Sequence, residues 1–165
     1  MDDLSAATGL NRPSLYGAFG DKHALYLQAL RLYTEQSNAA IAAAFAGRPL
    51  RDGLLHVYEL ALQLYYPPDE AARGCLLIGT AATEAPRDEA IRQQLGDSLR
   101  GFNAAFEKRM RQAVEAGELP AGTNAAMRAQ LASAVLHSMA LRARAGDPRK
   151  ELLALARAGV EMVCG

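Results

Sequence analysis

Residues 2–22, DDLSAATGLNRPSLYGAFGDK, hold two short helix-forming runs separated by a glycine. The acidic pair at the start suits a helix N-terminus, where free N–H groups favour negative charge. Gly9 can end this helix in a left-handed conformation. Asn11 can then cap a second helix, which tolerates Pro13 because first-turn amides have no helical partner. The stretch therefore predicts a helix-turn-helix at the start of the chain.

The second of these helices has a polar outward face. Helical spacing predicts that the apolar side chains pack inward, and these are Leu4, Ala7, Leu10, Leu15 and Phe19. The outward residues are Arg12, Ser14, Tyr16 and Gly17. Since a helix N-terminus attracts phosphate, contact with DNA phosphates and base edges is one interpretation of this face. The alternative is a solvated helical hairpin whose aromatic residues belong to a core.

The rest of the chain has helical periodicity between short breaks rich in glycine and proline. Within residues 87–116, apolar side chains recur every three or four positions. Alanine and leucine are abundant, and no useful length of sequence alternates with period two as strands do. The predicted fold class is therefore all-α. The predicted helices cover residues 2–8, 12–19, 21–46, 50–66, 74–84, 87–116, 123–145 and 148–163.

Charge and cysteine content exclude several classes of protein. The 18 basic and 18 acidic residues cancel, so any contact with DNA must be local. Cys75 and Cys164 form no CxxC motif and the histidines are far apart, so neither a disulfide framework nor a zinc site is expected. No apolar run approaches the ~20 residues of a transmembrane helix, and no signal peptide is visible. We expect a cytoplasmic protein that has no metal, no cofactor and no contact with a membrane.

The sequence offers little support for catalysis. It contains no GxSxG, HExxH or glycine-rich phosphate loop. The acidic and histidine pairs that share a helical face, such as His56 with Glu59, are explained more simply by exposed or capping roles. We therefore expect no catalytic residues, and an all-α enzyme is the weakest of the hypotheses.

Residues 9–30, GLNRPSLYGAFGDKHALYLQAL, resemble the helix-turn-helix signature of the TetR family of transcriptional regulators. That signature is G-[VL]-x-[RK]-x-[ST]-[LI]-Y-x-x-F-x-x-K-x-x-L. The positions that match it are Gly9, Leu10, Arg12, Ser14, Leu15, Tyr16, Phe19, Lys22 and Leu25. The resemblance is dense and ordered over this stretch, whereas the remaining chain is only compatible with the family's layout.

The resemblance implies a ligand-responsive repressor that binds a palindromic operator as a homodimer. A small apolar or aromatic effector would release it from the DNA. Residues 1–46 would form the DNA-binding head and the connecting helix, and residues 47–165 the regulatory and dimerisation domain. Residues 12–19 become the recognition helix. The implied DNA-binding residues are Arg12, Pro13, Ser14, Tyr16, Gly17 and Lys22.

One departure from the family pattern concerns the start of the sequence. Family members place a further helix, commonly with a basic tail, before the helix at 2–8, and this sequence starts at Met1. Either the sequence is shortened or its start codon misassigned, or this is a variant with an impaired head. The intact recognition residues favour the first explanation. If the variant is real, the alternative function is a dimeric helical small-molecule-binding protein that no longer binds DNA.

Aromatic and sulfur-containing side chains in the larger domain suggest a ligand pocket, because a few polar groups among apolar walls are what such pockets need. The candidate residues are Tyr58, Leu62, Tyr65, Tyr66, Cys75, Ile78, Phe102, Phe106, Met110 and His137. For most of them an ordinary bundle core is the competing interpretation, and His137 also fits a hydrogen-bonded structural role.

The last two predicted helices carry apolar and small residues that suit a helix-helix interface. The resemblance implies that two such pairs form a four-helix interface around a two-fold axis. The candidate interface residues are Met127, Leu131, Val135, Met139, Leu152, Leu155 and Gly159.

Overall fold

A computed structural model of the protein describes residues 2–68 and 70–165. The described residues form α-helices joined by short loops, without strands, so the predicted all-α class is confirmed. A π-helical turn at Leu77–Ala81 precedes α5. The helices are α1 (Asp2–Thr8), α2 (Arg12–Phe19), α3 (Lys22–Phe45), α4 (Leu50–Tyr65), α5 (Ala82–Glu84), α6 (Glu89–Glu115), α7 (Ala125–Ala145) and α8 (Arg149–Cys164).

Four helix starts, those of α2, α3, α6 and α7, are capped by a short polar side chain just before the first turn. Asn11 Oδ1 accepts a hydrogen bond from the Ser14 N–H at 2.9 Å, and Asp21 Oδ1 accepts one from the Ala24 N–H at 2.7 Å. Asp88 and Asn124 do the same for α6 and α7. These caps satisfy first-turn donors that have no helical partner, which is why the sequence located these helix starts to within about two residues.

The helix predicted at 74–84 is present, but it starts two residues later than predicted. Residues 71–75 are not helical, Leu76 is the first helical residue, and the π turn follows it. Gly74 adopts φ +64°, and a Cβ there would lie 2.4 Å from the Ala140 carbonyl oxygen. Because the chain crosses α7 at this point with a left-handed residue, the helix cannot extend back to residue 74.

The large core lies where α4, α6, α7 and α8 pack together, with α3 against α4 and α6. Phe45 and Phe106 meet edge to face with ring centroids 5.9 Å apart. The buried Tyr58 hydroxyl donates a hydrogen bond to the Ala132 carbonyl at 3.0 Å, so this core tyrosine leaves no polar atom unpaired. None of the helices in the described ranges is long and apolar enough to cross a membrane.

The head formed by α1 and α2 buries little. α1 has no buried residue, and Leu15 is the buried residue of α2. Leu10 and Ala7, which were expected to pack inward, are exposed instead, because the described helices leave that side of the hairpin uncovered.

Candidate nucleic-acid interface and ligand cavity

The α2 helix presents its first turns to solvent. Arg12, Pro13, Ser14 and Gly17 are exposed, and Tyr16 is 48% exposed. A Cβ added at Gly17 would meet nothing within 4 Å, so this face offers room for a close approach of another molecule. The structure therefore brings the predicted DNA-binding residues of α2 onto one accessible end of the molecule.

Lys22 extends this surface from the next helix. It is the first residue of α3 and is exposed. The first-turn N–H groups of α3 are close to it, and Asp21 accepts a hydrogen bond from one of them, the N–H of Ala24. A lysine at a helix N-terminus adds its charge to the positive end of the helix dipole. Such an end favours a phosphate group.

Arg12 forms an ion pair with Asp2 that the sequence did not predict. Its Nε donates to Asp2 Oδ1 at 2.9 Å, and a second guanidinium nitrogen also contacts that carboxylate. Both side chains are largely exposed. Exposed ion pairs contribute little, about 0–1 kcal/mol, so DNA phosphate can displace this one. Asp2 therefore competes with any DNA ligand of Arg12.

Two polar contacts join the start of α3 to the larger domain. His23 Nε2 lies 2.7 Å from Asp88 Oδ2, at the N-terminus of α6. The backbone hydrogen bond from Ile91 and the contact with His23 hold the pKa of Asp88 below its usual range. One helical turn further, the Tyr26 hydroxyl lies 2.8 Å from Thr80 Oγ1 in the π turn. The first two turns of α3 are thus attached to two different elements, the start of α6 and the π turn.

A cavity of about 320 Å³ opens between α3, α4, α6 and α7. Exposed side chains surround its mouth, including Gln36, Ala40 and Leu64. Most of its wall is aliphatic or aromatic. The lining residues are Tyr33, Gln36, Ser37, Ala40, Ile41, Val57, Leu60, Ala61, Leu64, Tyr65, Cys75, Phe102, Leu136 and His137.

The cavity wall is electrically neutral. Among the described residues that line it there is no Asp, Glu, Lys or Arg. The Tyr33 hydroxyl donates to Cys75 Sγ at 3.3 Å. Burial raises the pKa of Tyr33 and of Tyr65 far above the ordinary tyrosine value, which keeps both phenols protonated. Burial lowers the pKa of His137, so its imidazole is neutral at pH 7 and above.

The structure brings four of the predicted pocket residues to this cavity and places six elsewhere. Those that line it are Tyr65, Cys75, Phe102 and His137. Four others are fully buried in the core because they lie on helix faces turned toward neighbouring helices, namely Tyr58, Leu62, Phe106 and Met110. The Tyr66 hydroxyl bonds to the Asp147 carbonyl. Ile78 lies in the π turn, packed against the core.

The α3 wall of the cavity is what sequence reasoning missed. Tyr33, Ser37 and Ile41 follow one another at intervals of four, which places them on one face of a helix. This pattern was visible, but α3 was assigned only to the connection between head and body. The sequence did not show that one face of that helix would line a cavity.

The predicted interface residues divide into an outer and an inner set. Met127 is 53% exposed, and Leu131 and Leu155 are half-buried. The other four are buried within the chain itself, because α7 and α8 pack on each other and on α4, and these are Val135, Met139, Leu152 and Gly159. A Cβ at Gly159 would lie 2.9 Å from Val135 Cγ1 of the same chain.

The exposed face of α7 and α8 is nevertheless apolar. On α7 it carries Met127, Leu131, Ala134, Ser138 and Leu141, at intervals of four, three, four and three. On α8 it carries Leu155, Ala158 and Met162. Intervals that alternate between three and four are typical of helices that pack against a partner helix. We call these eight residues the α7–α8 face.

Residues 52–158, the greater part of the chain, match the sequence model of the tetracyclin repressor-like C-terminal domain. The chain belongs to the TetR family of transcriptional regulators, whose members are not enzymes. The resemblance seen in the helix-turn-helix and the match to the C-terminal domain rest on different parts of the chain, and they agree. Within the described ranges, no cluster of three or more side chains suits a metal ion.

Solved structures of the family resemble the whole chain. The TetR family regulator CifR, solved as a cysteine mutant with 26-bp double-strand operator DNA, is 30% identical, with a TM-score of 0.85 over 98% of this chain and 84% of CifR. A putative TetR regulator from Rhodococcus sp. RHA1 is 26% identical, with a TM-score of 0.71 over 99% of this chain and 87% of that protein.

Two bacterial proteins are related in sequence. YezE of Bacillus subtilis (strain 168), an uncharacterized HTH-type transcriptional regulator, is 27% identical over 120 residues, which make up 72% of this chain and 61% of YezE. The HTH-type transcriptional repressor ComR of Escherichia coli (strain K12) is 24% identical over 161 residues, 94% of this chain and 75% of ComR. The alignment with YezE thus spans less than two thirds of that relative.

Proposed function

We propose that this protein is a ligand-responsive repressor that binds a palindromic operator as a homodimer. The exposed N-terminal half of α2 is the observation that supports this function most directly. It presents Arg12, Ser14 and Tyr16 at the positive end of a helix, with Gly17 open beside them. CifR, the relative solved with operator DNA, shares this architecture.

Dimerisation through the α7–α8 face supplies the symmetry that a palindrome requires. The exposed side chains of Met127, Leu141 and Met162 lose contact with water when two such faces meet. A two-fold axis then places two α2 helices on half-sites separated by about one turn of DNA, roughly 34–36 Å, or a multiple of it.

Effector binding to the cavity reaches the head through α3. Tyr33 and Ile41 of this helix line the cavity, while its first turns contact Asp88 and Thr80. A ligand that displaces the α3 wall therefore shifts the equilibrium between two conformations that differ in the position of the head, provided that it binds one conformation more tightly than the other. The effector class that the wall accommodates is small and apolar or aromatic.

The test of DNA binding is a gel shift with the full-length protein and the DNA upstream of its own gene. Lys22→Ala should weaken binding to all sequences and reduce the salt slope by about one, because one phosphate contact is lost. Arg12→Ala should cost about 1–3 kcal/mol and relax base preference if it contacts a base edge. Lys150→Ala, an exposed lysine of α8, is the control and should bind as the parent does.

If a triple alanine variant at Arg12, Tyr16 and Lys22 kept its affinity for the operator, this surface would not be the one that binds DNA. Asp2→Asn provides a gain-of-function arm, since it releases Arg12 from its ion pair and should tighten DNA binding. The small core of the head, in which α1 has no buried residue, favours the second candidate, a dimeric small-molecule-binding protein whose head does not bind DNA. That candidate predicts a ligand-binding dimer with no salt-dependent DNA affinity in any of these variants.

A further inference from the structure

A second cavity lies next to the one already described, and Ile41 lines both of them. It has a volume of about 450 Å³ and is bounded by the last turns of α3, the C-terminal half of α6 and the loops that follow these two helices. We call it the α3–α6 cleft. Its wall carries charged side chains, whereas the wall of the first cavity is neutral, so the two cavities suit different kinds of ligand.

Three cations and one carboxylate line the α3–α6 cleft among the described residues. The cations are Arg48, Lys108 and Arg109, and the carboxylate is Glu118. Both oxygens of Glu118 are already used, because one accepts from Arg109 and the other from the Leu50 N–H. None of the ion pairs among the described residues includes Arg48 or Lys108. The cleft therefore has an excess of two positive charges.

Arg48 is held at the edge of the cleft with part of its guanidinium group still available. Its Nη1 donates to the carbonyl oxygens of Ala43, Ala44 and Ala46 at the end of α3, at 3.4, 3.2 and 3.5 Å. Ala46 also lines the cleft, so these bonds hold the guanidinium beside it. The described residues accept no hydrogen bond from Nε or Nη2 of Arg48. Two such neighbouring donors bind a carboxylate through two parallel hydrogen bonds.

Lys108 supplies the second unpaired charge from α6. Ala105, Lys108 and Gln112 follow one another at intervals of three and four, so they share the face of α6 that lines the cleft. Lys108 is exposed, and its flexible stem lets the ammonium group turn toward an anion in the cleft. The cleft thus combines a flexible cation on α6 with a fixed one, Arg48, after the end of α3.

The rest of the wall restricts the kind of anion. Ile41, Phe45 and Ala105 form an apolar part, and a ligand that covers it gains a hydrophobic contribution that a small inorganic anion lacks. Glu118 lies in the same wall, so a second negative charge on the ligand would be repelled. The volume of about 450 Å³ is within the range of ligand pockets, roughly 300–1,000 Å³. A monocarboxylate with a compact apolar body meets all three conditions.

We propose that the α3–α6 cleft is a second ligand site, which binds a small apolar or aromatic monocarboxylate through Arg48 and Lys108. Arg48 supplies the paired hydrogen bonds, Lys108 adds the second charge, and Phe45 contacts the apolar body. The site goes beyond the proposed function, because it is separate from the neutral cavity and does not require DNA binding.

An NMR titration of the full chain, labelled with ¹⁵N and free of DNA, tests the proposal at pH 7. The probes are 4-ethylbenzoate and 4-ethylbenzamide, which has nearly the same shape but no charge. The benzoate should shift the backbone amide signals of Gly47, Arg48 and Lys108, whereas the benzamide should leave these signals unchanged. Raising the NaCl concentration from about 50 mM to about 500 mM should weaken benzoate binding, because salt screens exposed charges.

Two substitutions on α6 separate the charge of the cleft from its shape. Lys108→Gln should weaken benzoate binding about twofold to fivefold, since one exposed ion pair is lost. Gln112→Glu replaces an amide by a carboxylate of the same size and should weaken binding to a similar extent, because the new charge pairs with Lys108 and repels the ligand. The control is Lys150→Gln, at an exposed lysine of α8 that does not line the cleft, and it should bind as the parent does.

Circular dichroism establishes that each variant is folded, and the comparison of the two probes on the parent protein is decisive even if a variant does not fold. Four results would overturn the proposal. They are the absence of benzoate binding, benzamide shifts at the cleft as large as those of benzoate, an affinity that neither α6 substitution lowers, and benzoate shifts confined to residues of the neutral cavity such as Cys75 and Leu136. None of these measurements involves DNA, so each result is independent of the proposed function.

Discussion

Glu118 shows how one side chain can hold two distant segments together. It lies in the loop after α6, where one carboxylate oxygen accepts from Arg109 at 2.7 Å and the other from the Leu50 N–H at the start of α4. Pro49 occupies the N-cap position of α4, but its side chain accepts no hydrogen bond from the first turn. Glu118 therefore supplies from a remote position the acceptor that a local cap normally provides.

Glu118→Gln should lower the free energy of unfolding by about 1–3 kcal/mol, because a buried donor loses its charged acceptor. Urea unfolding at pH 7 measures this loss. The control is Glu107→Gln, which breaks an exposed i,i+4 pair with Arg111 and should cost less than about 0.5 kcal/mol. Equal effects of the two substitutions would contradict the role assigned to Glu118.

The same residue makes stability depend on pH. Burial alone would raise the pKa of Glu118, but the hydrogen bonds from Leu50 and Arg109 outweigh it and leave the pKa lowered. The contribution to stability is thus complete above the ordinary glutamate pKa, about 4.3, and is lost as pH falls through the lower folded value. In unfolding titrations from pH 7 to pH 3, the difference between the parent and Glu118→Gln should disappear at the acid end.

At the scale of elements, Gly74 determines how the segment before the π turn crosses α7. It has both a positive φ and a backbone carbonyl, that of Ala140, within 2.4 Å of the position of a Cβ. This crossing places Cys75 in the cavity wall, next to Tyr33, and starts the turn that contacts Tyr26. The segment thus contacts α3 at two points, at Tyr33 through Cys75 and at Tyr26 through Thr80.

Gly74→Ala should destabilise the protein by about 2–5 kcal/mol, the sum of left-handed strain and a clash with backbone. Gly117→Ala is a matched control, because Gly117 also has a positive φ (74°) but nothing lies within 4 Å of its Cβ position. The control should lose only about 1–2 kcal/mol. Thermal and urea unfolding of both variants measure the difference, and indistinguishable losses would show that the close approach to α7 is not required.

For the whole molecule, we propose that the α7–α8 face forms the dimer interface. Three of its large apolar residues are more than half exposed in the single chain, namely Met127, Leu141 and Met162, and Leu131 and Leu155 are half-buried. Contiguous exposed apolar surface of this kind marks an interaction site. The inner residues Met139 and Leu152 belong to the core of the chain, so substitutions there test folding rather than assembly.

Leu141→Glu combined with Met162→Glu should convert the dimer to monomers, because two carboxylates would be buried without partners at the interface. Light scattering after size-exclusion chromatography measures the mass. The monomer should retain its helical circular dichroism and lose affinity for a palindromic operator. Leu32→Glu, at an exposed leucine of α3 outside this face, should remain dimeric. If the double variant stays dimeric, the α7–α8 face is not the dimer interface.

The sequence by itself determined the features of this protein that depend on neighbouring residues. Asn11, Asp21 and Asp88 cap their helices through bonds to residues three positions away, so the all-α class and the helix-turn-helix were predictable, and the ordered motif around Tyr16 indicated the family. Local spacing also gave the apolar faces of α7 and α8, but not which residues of those faces would be turned inward.

Only the tertiary structure decided which faces meet. The adjacent residues Tyr65 and Tyr66 look alike in sequence, yet one lines the cavity and the other donates to the Asp147 carbonyl. The reason is that Tyr65 is the last residue of α4, whereas the backbone has left the helical conformation at Tyr66, with φ −122° and ψ 73°. The α3 wall, the Arg12–Asp2 ion pair and the remote cap from Glu118 likewise join residues that are separated along the chain. Such contacts depend on how helices pack, and packing is a property of surfaces that no local pattern contains.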